Sequence, residues 1–159
     1  MLNLFKKEIN VKLLAPMTGE IIELEDVPDE VFASKMIGDG LAIKPSDNEI
    51  LSPCDGKIVQ IFPTKHAIGI ETNEGLEILI HIGIDTVVLN GNGFKSFVSQ
   101  GDRVYCGDKL LEVDLDYINK NAKSTITPIL ITNMDKVKEF SKINGDVKKN
   151  KDVIMEIKM

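Results

Sequence analysis

The chain contains two histidines, His66 and His81, and their side chains are the ones best suited to reversible group transfer. Both lie on or beside predicted strands, residues 67–72 and 76–82, which a turn at residues 73–75 joins into a hairpin. A neutral imidazole that donates one N–H to a backbone carbonyl leaves the lone pair of its other nitrogen free as a nucleophile. His81, in the apolar stretch ILIHIGID, is therefore a candidate phosphoryl acceptor. The alternative is a core histidine that is satisfied by one hydrogen bond.

The length of the hairpin turn decides whether the two rings share a face of the sheet. A two-residue turn places His81 opposite His66 or Ile68 and puts both rings on one side. A three-residue turn places them on opposite sides and brings Glu71 and Glu77 to the same side. The residues alone leave both registers open.

A pair of histidines also suggests zinc, with Asp85 or a cysteine as a further ligand. The alternative function is therefore a zinc-dependent hydrolase or a metal-binding module that uses His66 and His81. A zinc enzyme requires a third protein ligand in addition to the two histidines. We therefore expect that the protein requires no cofactor, although Zn²⁺ could bind at His66 and His81.

The elements that must position these residues are short strands separated by Gly, Pro, Asn and Asp, which is typical of an all-β protein. Nine strands are predicted, over residues 20–25, 41–44, 57–62, 67–72, 76–82, 103–106, 109–114, 128–132 and 153–158. Two short helices are predicted, over residues 116–123 with Asp116 as the cap and over residues 134–142 with Asp135 near the start.

Two internal repeats indicate how these strands are arranged. The segment LAPMTGEIIEL at residues 14–24 returns as LSPCDGKIVQI at residues 51–61, and GDRVYCGDKLLEVD at residues 101–114 returns as GDVKKNKDVIMEIK at residues 145–158. Duplicated strand units bury their apolar faces against each other. We therefore predict an antiparallel β-sandwich with some barrel character.

Length and charge limit the function further. A chain of 159 residues suits one domain, which we expect over residues 11–159 after a short tail at residues 1–10. The net charge of −6 argues against nucleic acid and favours a partner with a basic docking face. No apolar run approaches a membrane span and no signal peptide is evident, so we expect a cytoplasmic protein without stable membrane insertion. Cys54 and Cys106 are interpreted as small core residues.

Four separated segments resemble a known family. They are VFASKMIGDGLAIKP at residues 31–45, TKHAIGI at residues 64–70, LIHIGIDTV at residues 79–87 and KSTITPILITNM at residues 123–134. Together they are similar to the glucose-class enzyme IIA of the bacterial phosphoenolpyruvate-dependent sugar phosphotransferase system. The resemblance implies a β-sandwich that receives a phosphoryl group from the histidine phosphocarrier protein and passes it to a cysteine of a sugar permease's IIB domain.

The resemblance also assigns roles to individual residues. It makes His81 the phosphorylated residue through Nε2, with Nδ1 held by the Gly83 carbonyl, while His66 donates to the phosphoryl oxygens and Thr64 orients His66. Other residues are assigned to partner binding around the site: Phe32, Ile37, Phe62, Leu79, Asp85 and Val87.

Two other functions remain open from the sequence. The duplicated Gly-Asp strands and the Lys35-Met36 pair suggest a lipoyl- or biotin-carrier domain, although such domains are shorter. A regulatory binding module is compatible with the family resemblance and would add regulatory targets to the partners.

The N-terminal segment MLNLFKK, residues 1–7, has apolar residues ahead of two lysines and could touch a membrane surface, although a frayed terminus is the simpler interpretation.

Overall fold

The computed structural model describes residues 8–159, and within them the chain forms fourteen β-strands and two short α-helices. The strands are β1 Asn10–Leu14, β2 Gly19–Ile22, β3 Asp39–Pro45, β4 Glu49–Leu51, β5 Gly56–Ile61, β6 Ala67–Thr72, β7 Glu77–His81, β8 Phe94–Ser96, β9 Arg103–Val104, β10 Lys109–Val113, β11 Thr127–Ile131, β12 Glu139–Lys142, β13 Asp146–Val147 and β14 Val153–Lys158. The helices are α1 Glu30–Ala33 and α2 Leu115–Asn121. The predicted all-β fold is confirmed.

The strands form one large sheet and two small ones, in which all the recorded pairings are antiparallel. The large sheet has the order β13-β2-β3-β11-β7-β6-β5-β9, and the small sheets have the orders β1-β14-β12 and β4-β10-β8. Strand β7, which carries His81, lies near the centre of the large sheet between β11 and β6. The histidine is therefore attached to a strand that is paired on both sides.

The main core lies between the large sheet and the two small ones. Ile78 and Ile80 of β7 face it together with Ile129 of β11, and the small sheets contribute residues such as Leu13 and Leu111. The alternation of side chains along β7 then places Leu79 and His81 on the other face of the sheet. This alternation explains why one strand can support both the core and the site.

The other face of the large sheet is covered by a smaller apolar cluster. Leu24 and Val27 from the segment before α1, together with Phe32 of α1, pack there against Ala42 and Leu130. Helix α1 is only four residues long, and its N-cap Asp29 accepts the backbone N–H of Val31 at 2.9 Å. The cap fixes the start of the helix that presents Phe32 to the sheet.

The two internal repeats occupy equivalent places in the fold. From its two ends the large sheet reads β13-β2-β3-β11 and β9-β5-β6-β7, and the first repeat supplies β2 and β5 while the second supplies β9 and β13. Reciprocal hydrogen bonds link the copies, from the Leu14 N–H to the Pro53 carbonyl at 3.0 Å and from the Leu51 N–H to the Pro16 carbonyl at 2.8 Å. The chain is therefore built as two similar halves that close on each other.

The structure corrects the second predicted helix. Residues 134–142 form only a short 3-10 turn at Met134–Lys136 and then strand β12, whose Phe140 pairs with Ile157 of β14. Pairing with β14 outweighs the weak helical spacing, because a partly apolar segment gains more by completing a sheet. The first predicted helix is α2, but its cap is Asp114, which accepts the Tyr117 N–H at 3.0 Å, instead of Asp116.

The two cysteines differ in exposure. Cys54 is buried, which raises the pKa of its thiol to about 12, whereas Cys106 is only partly buried. The prediction that both are core residues is therefore wrong for Cys106. Its backbone N–H donates to Asp55 at 2.8 Å in the turn between β9 and β10, which holds the residue near the surface.

The N-terminal prediction cannot be followed fully in the structure. Strand β1 begins at Asn10, which pairs with Lys158, but residues 1–7 lie outside the described residues. Across residues 8–159, none of the helices has the length and apolar character needed to span a bilayer.

Candidate functional site

His81 is the last residue of β7, and its ring is held by the backbone two residues further on. Nδ1 of His81 lies 2.8 Å from the carbonyl oxygen of Gly83. A carbonyl oxygen only accepts hydrogen bonds, so Nδ1 carries the proton. In the neutral ring the lone pair is then on Nε2, which is the nitrogen that the sequence analysis expected to act as nucleophile.

The structure resolves the hairpin register in a way that simple alternation did not anticipate. Ala67 pairs with His81 and Glu71 with Glu77, which is the register of a three-residue turn. Alternation alone would then separate the two rings, yet the centroids of His66 and His81 are 5.1 Å apart at an interplanar angle of 79°. The two imidazoles are in contact.

The reason lies in the backbone just before β6. His66 precedes the first residue of the strand, in a bend, and Lys65 has a left-handed φ of 59°. The side-chain alternation of a strand therefore does not extend to His66. Its carbonyl still accepts the N–H of Ile82 at 2.7 Å, which keeps the bend attached to the end of β7.

Thr64 and Phe62 lie beside His66, as expected from the sequence. The hydroxyl of Thr64 forms a short hydrogen bond with Nδ1 of His66. The ring of Phe62 packs edge-on against His66 with 5.1 Å between centroids. The segment between β5 and β6 thus supplies both a polar and an apolar support for the same imidazole.

Burial keeps both imidazoles neutral near pH 7. Burial and, to a smaller extent, the nearby His81 ring together lower the pKa of His66 to about 4. Burial also lowers the pKa of His81, while its hydrogen bond to Gly83 and the carboxylates of Asp29 and Asp85 oppose the shift. A neutral ring is required for Nε2 of His81 to act as a nucleophile.

The predicted apolar surroundings divide into a buried part and an exposed part. Phe32 is buried with its ring centroid 4.8 Å from that of His81, and Leu79 packs into the same small cluster. Ile37 is 37% exposed and Val87 51% exposed, so both lie on the surface. Three further large apolar residues are exposed on the same segments and were not predicted as site residues, namely Val31, Met36 and Val88.

Two carboxylates act electrostatically on His81. Asp85 is exposed and has a left-handed φ of 59°, which turns the chain after the ILIHIGI segment. Asp29, the cap of α1, was missed by the sequence analysis although it acts on the His81 pKa in the same way. Its signal in the sequence is an aspartate just ahead of Glu30, the first residue of the helix that carries Phe32.

The zinc alternative gains no support from the geometry. Among residues 8–159, no group of three or more His, Cys, Asp or Glu side chains is placed to hold a metal ion. The two imidazoles alone supply fewer ligands than the three that a catalytic zinc normally takes from the protein.

Comparisons with known proteins show which family the chain belongs to. The family model of the phosphoenolpyruvate-dependent sugar phosphotransferase system, EIIA 1, matches residues 11–137. A protein of Staphylococcus epidermidis named "PTS system glucose-specific EIIA component" is 53% identical over 131 residues, which are 82% of this chain and 79% of that protein. A "PTS system glucose-specific EIICBA component" of Staphylococcus saprophyticus is 57% identical over 125 residues, which are 79% of this chain but 18% of that protein.

A solved structure shows the same fold. The chain is similar to "glucose permease IIA from Mycoplasma capricolum" with a TM-score of 0.87 and 48% sequence identity, over 93% of this chain and 96% of that one. The paired imidazoles, the match of the family model and this level of identity lead to one conclusion. The chain belongs to the EIIA 1 family of the phosphoenolpyruvate-dependent sugar phosphotransferase system.

Proposed function

We propose that the chain is a phosphoryl relay in glucose-class sugar uptake. It accepts a phosphoryl group on Nε2 of His81 from the histidine phosphocarrier protein and donates it to a cysteine of a permease IIB domain. The observation that carries the proposal is the bond from Nδ1 of His81 to the Gly83 carbonyl at 2.8 Å, which leaves the lone pair on Nε2.

The transfer balances without a cofactor or an oxidant. The Nε2 lone pair forms a bond to phosphorus while the phosphorus–nitrogen bond of the donor breaks, and its electron pair stays on the donor ring. In the second step the thiolate of the acceptor forms a bond to phosphorus, and the electron pair of the Nε2–phosphorus bond returns to His81. Such transfers need mainly alignment and stabilisation of charge on the phosphoryl oxygens.

His66 is proposed to supply that charge stabilisation. With the Thr64 hydroxyl donating to Nδ1 of His66, the proton of the neutral ring is on Nε2, where it can be donated to a phosphoryl oxygen. The contact between the two rings supports this role, because it brings the proposed donor close to the group that His81 would carry. Thr64 then acts as the residue that orients His66.

The exposed apolar residues are proposed to bind both protein partners. Met36 is 75% exposed and Val88 is 62% exposed. Met36 follows α1, whose Phe32 contacts His81, and Val88 follows β7, which ends at His81. Apolar contact around His81 would exclude water during transfer, while Asp85 and the charge of −6 favour a basic partner face. The Staphylococcus saprophyticus relative, named as an EIICBA component, supports a IIB and IIC partner because a related segment is part of that longer protein.

Intact-mass analysis tests the proposal. The chain is incubated with phosphoenolpyruvate, enzyme I and the histidine phosphocarrier protein, and we expect one added phosphoryl group that is stable to base and labile to acid. Absence of the adduct under conditions in which the phosphocarrier protein itself is phosphorylated would contradict the proposed function.

Substitutions then distinguish the proposed roles of the two histidines. We expect His81→Gln to abolish phosphorylation, because the lone pair of an amide nitrogen is delocalised and cannot act as a nucleophile in place of Nε2. We expect His66→Gln to accept the group but to donate it poorly, with a loss on the order of 10²-fold as for other removed oxyanion donors. Phosphorylation of His81 and discharge to a IIB domain are measured separately, and equal loss of both steps in the two variants would refute this division of roles.

A further inference from the structure

The two peptide units on either side of Gly83 hold His81, and each of their N–H and carbonyl groups forms a hydrogen bond. The carbonyl of Gly83 accepts from His81, and the N–H of the same peptide unit, on Ile84, donates to the Ser124 carbonyl at 2.9 Å. In the preceding peptide unit, the Ile82 carbonyl accepts from the Thr86 hydroxyl at 2.6 Å. The N–H of that unit, on Gly83, donates to the Thr127 hydroxyl at 3.3 Å.

Two of these partners are buried threonines. Thr86 and Thr127 have no exposed surface, and Thr127 lies at the start of β11 in the centre of the large sheet. A buried hydroxyl costs free energy unless it is hydrogen-bonded, and valine has nearly the same shape. The Thr127 hydroxyl donates to the Thr125 carbonyl at 3.0 Å, which directs its lone pairs towards the N–H of Gly83.

Packing leaves the Gly83 segment little freedom to adjust. Gly83 has a left-handed φ of 74°, and a Cβ at this position would lie 2.5 Å from Cγ2 of Thr86 and 2.9 Å from the Ser124 carbonyl oxygen. The segment is therefore confined by the same residues that form its hydrogen bonds. A change in the orientation of the Gly83 carbonyl requires one of these bonds to break.

We propose that Thr127 is a positioning residue. Together with Thr86 it holds the two ends of the peptide unit between Ile82 and Gly83, and this keeps the following carbonyl, that of Gly83, aimed at Nδ1 of His81. Thr127 thereby fixes the ring tautomer that leaves the lone pair on Nε2. This inference rests on the proposed role of His81 as the phosphoryl acceptor, but the hydrogen-bonded state of the ring can be measured without any transfer.

Three variants separate positioning from general stability. Thr127→Val removes the acceptor of the Gly83 N–H with little change in shape, whereas Thr127→Ser keeps the hydroxyl. The matched control is Thr72→Val, because Thr72 is also buried and its hydroxyl accepts the Leu76 N–H at 3.0 Å, in the hairpin turn at the other end of β6 and β7. All three are compared with the parent chain.

The primary measurement is ¹⁵N NMR of the histidine rings in the unphosphorylated chain. We expect a protonated Nδ1 on His81 in the parent chain, in Thr127→Ser and in Thr72→Val. In Thr127→Val we expect the Nδ1 proton of His81 to exchange with water at least about 10-fold faster and the other tautomer to appear. The rate of phosphoryl acceptance should fall by about 10- to 100-fold in Thr127→Val, the loss seen when hydrogen bonds that orient metal-ligating histidines are removed, and should recover in Thr127→Ser.

The outcomes are distinct for the two proposals. The positioning role is overturned if the tautomer and the Nδ1 proton exchange rate of His81 are unchanged in Thr127→Val. It is also overturned if they change equally in Thr72→Val. If Thr127→Val does not fold, Thr86→Val tests the other end of the same peptide unit with the same measurement and the same criteria. A parent chain that shows the expected ring state and its dependence on Thr127, yet accepts no phosphoryl group, supports the positioning role and refutes the proposed function alone.

Discussion

At the scale of single residues, the proposed relay requires two imidazoles that are uncharged and differently protonated. His81 is fixed by a backbone carbonyl and His66 by the Thr64 hydroxyl. The bond to Gly83 leaves a lone pair on Nε2 of His81, and the proposed donation from the Thr64 hydroxyl leaves a proton on Nε2 of His66. Burial supports the arrangement because it lowers the pKa of each ring.

The lowered pKa of His66 predicts a specific dependence of stability on pH. The folded pKa is about 4 and the unfolded value about 6.5, so between these values the unfolded chain binds a proton that the folded chain does not. This contribution to the free energy of unfolding is therefore complete above about pH 6.5 and is lost as pH falls towards 4. Relative to His66→Gln, the parent chain should lose about 2 kcal/mol between pH 7.5 and pH 5.

Urea unfolding at several pH values checks this expectation. Each curve is referred to its own value at pH 7.5, so that the constant effect of the substitution cancels and the titration of the carboxylates is shared. Parallel stability curves for the two proteins would show that His66 is not the group responsible.

At the scale of elements, the position of β7 depends on close contact with its neighbours in the large sheet. Strand β11 lies beside β7 and pairs on its other side with β3, where Gly40 is opposite Leu130. A Cβ on Gly40 would lie 2.2 Å from the carbonyl oxygen of Ile129, so only glycine fits there without displacing the backbone.

Two glycine substitutions therefore should differ sharply. Gly40→Ala is expected to lower the free energy of unfolding by about 1–3 kcal/mol, the usual cost of overpacking. Gly69→Ala in β6 is the matched control, because its Cβ would make ordinary van der Waals contacts, the nearest being side-chain atoms of Val59 and Gln60 at 3.5 and 3.6 Å. Denaturant unfolding measures both, and an equal effect of the two variants would contradict this account of the strand packing.

At the scale of the whole molecule, an acidic chain presents exposed apolar side chains on the segments that follow α1 and β7. The net charge is −6, and the exposed residues Met36, Val87 and Val88 are apolar. Charge complementarity speeds encounter with a basic partner, whereas apolar contact excludes water once the partners meet. A relay that exchanges partners at each turnover requires weak association.

Ionic strength should therefore affect encounter and leave the bound group unchanged. We expect the rate of phosphoryl acceptance at limiting donor concentration to fall several-fold between about 0.01 and 0.15 M salt, where the Debye length shortens from about 30 to 8 Å. Spontaneous hydrolysis of the phosphorylated chain in the same buffers is the control and should change little. A rate of acceptance that does not depend on salt would show that charge plays no part in encounter.

The two copies of the first internal repeat share the same packing requirement at a glycine. Gly19 at the start of β2 and Gly56 at the start of β5 occupy equivalent positions, and a Cβ on either would lie within 2.3 Å of a carbonyl oxygen on the neighbouring strand. The same local requirement is thus met twice, once in each half of the sandwich. Only one half, however, carries the two histidines.

The sequence by itself determined the fold class and the identity of the two histidines. Alternating apolar residues and regularly spaced turn residues are local patterns, so the nine predicted strands correspond to strands in the structure. The strands β1, β4, β8, β12 and β13 were missed, because two to five residues are too few to show a clear alternation.

The tertiary structure alone decided how the two rings meet. The register of the hairpin would have separated them, and the contact arises because the bend at Lys65 and His66 releases His66 from the alternation of β6. It also decided that Asp29, at the cap of α1, acts on the pKa of His81 and that Thr127 of β11 accepts the Gly83 N–H. Such contacts depend on the packing of segments far apart in the chain, and no local pattern encodes them.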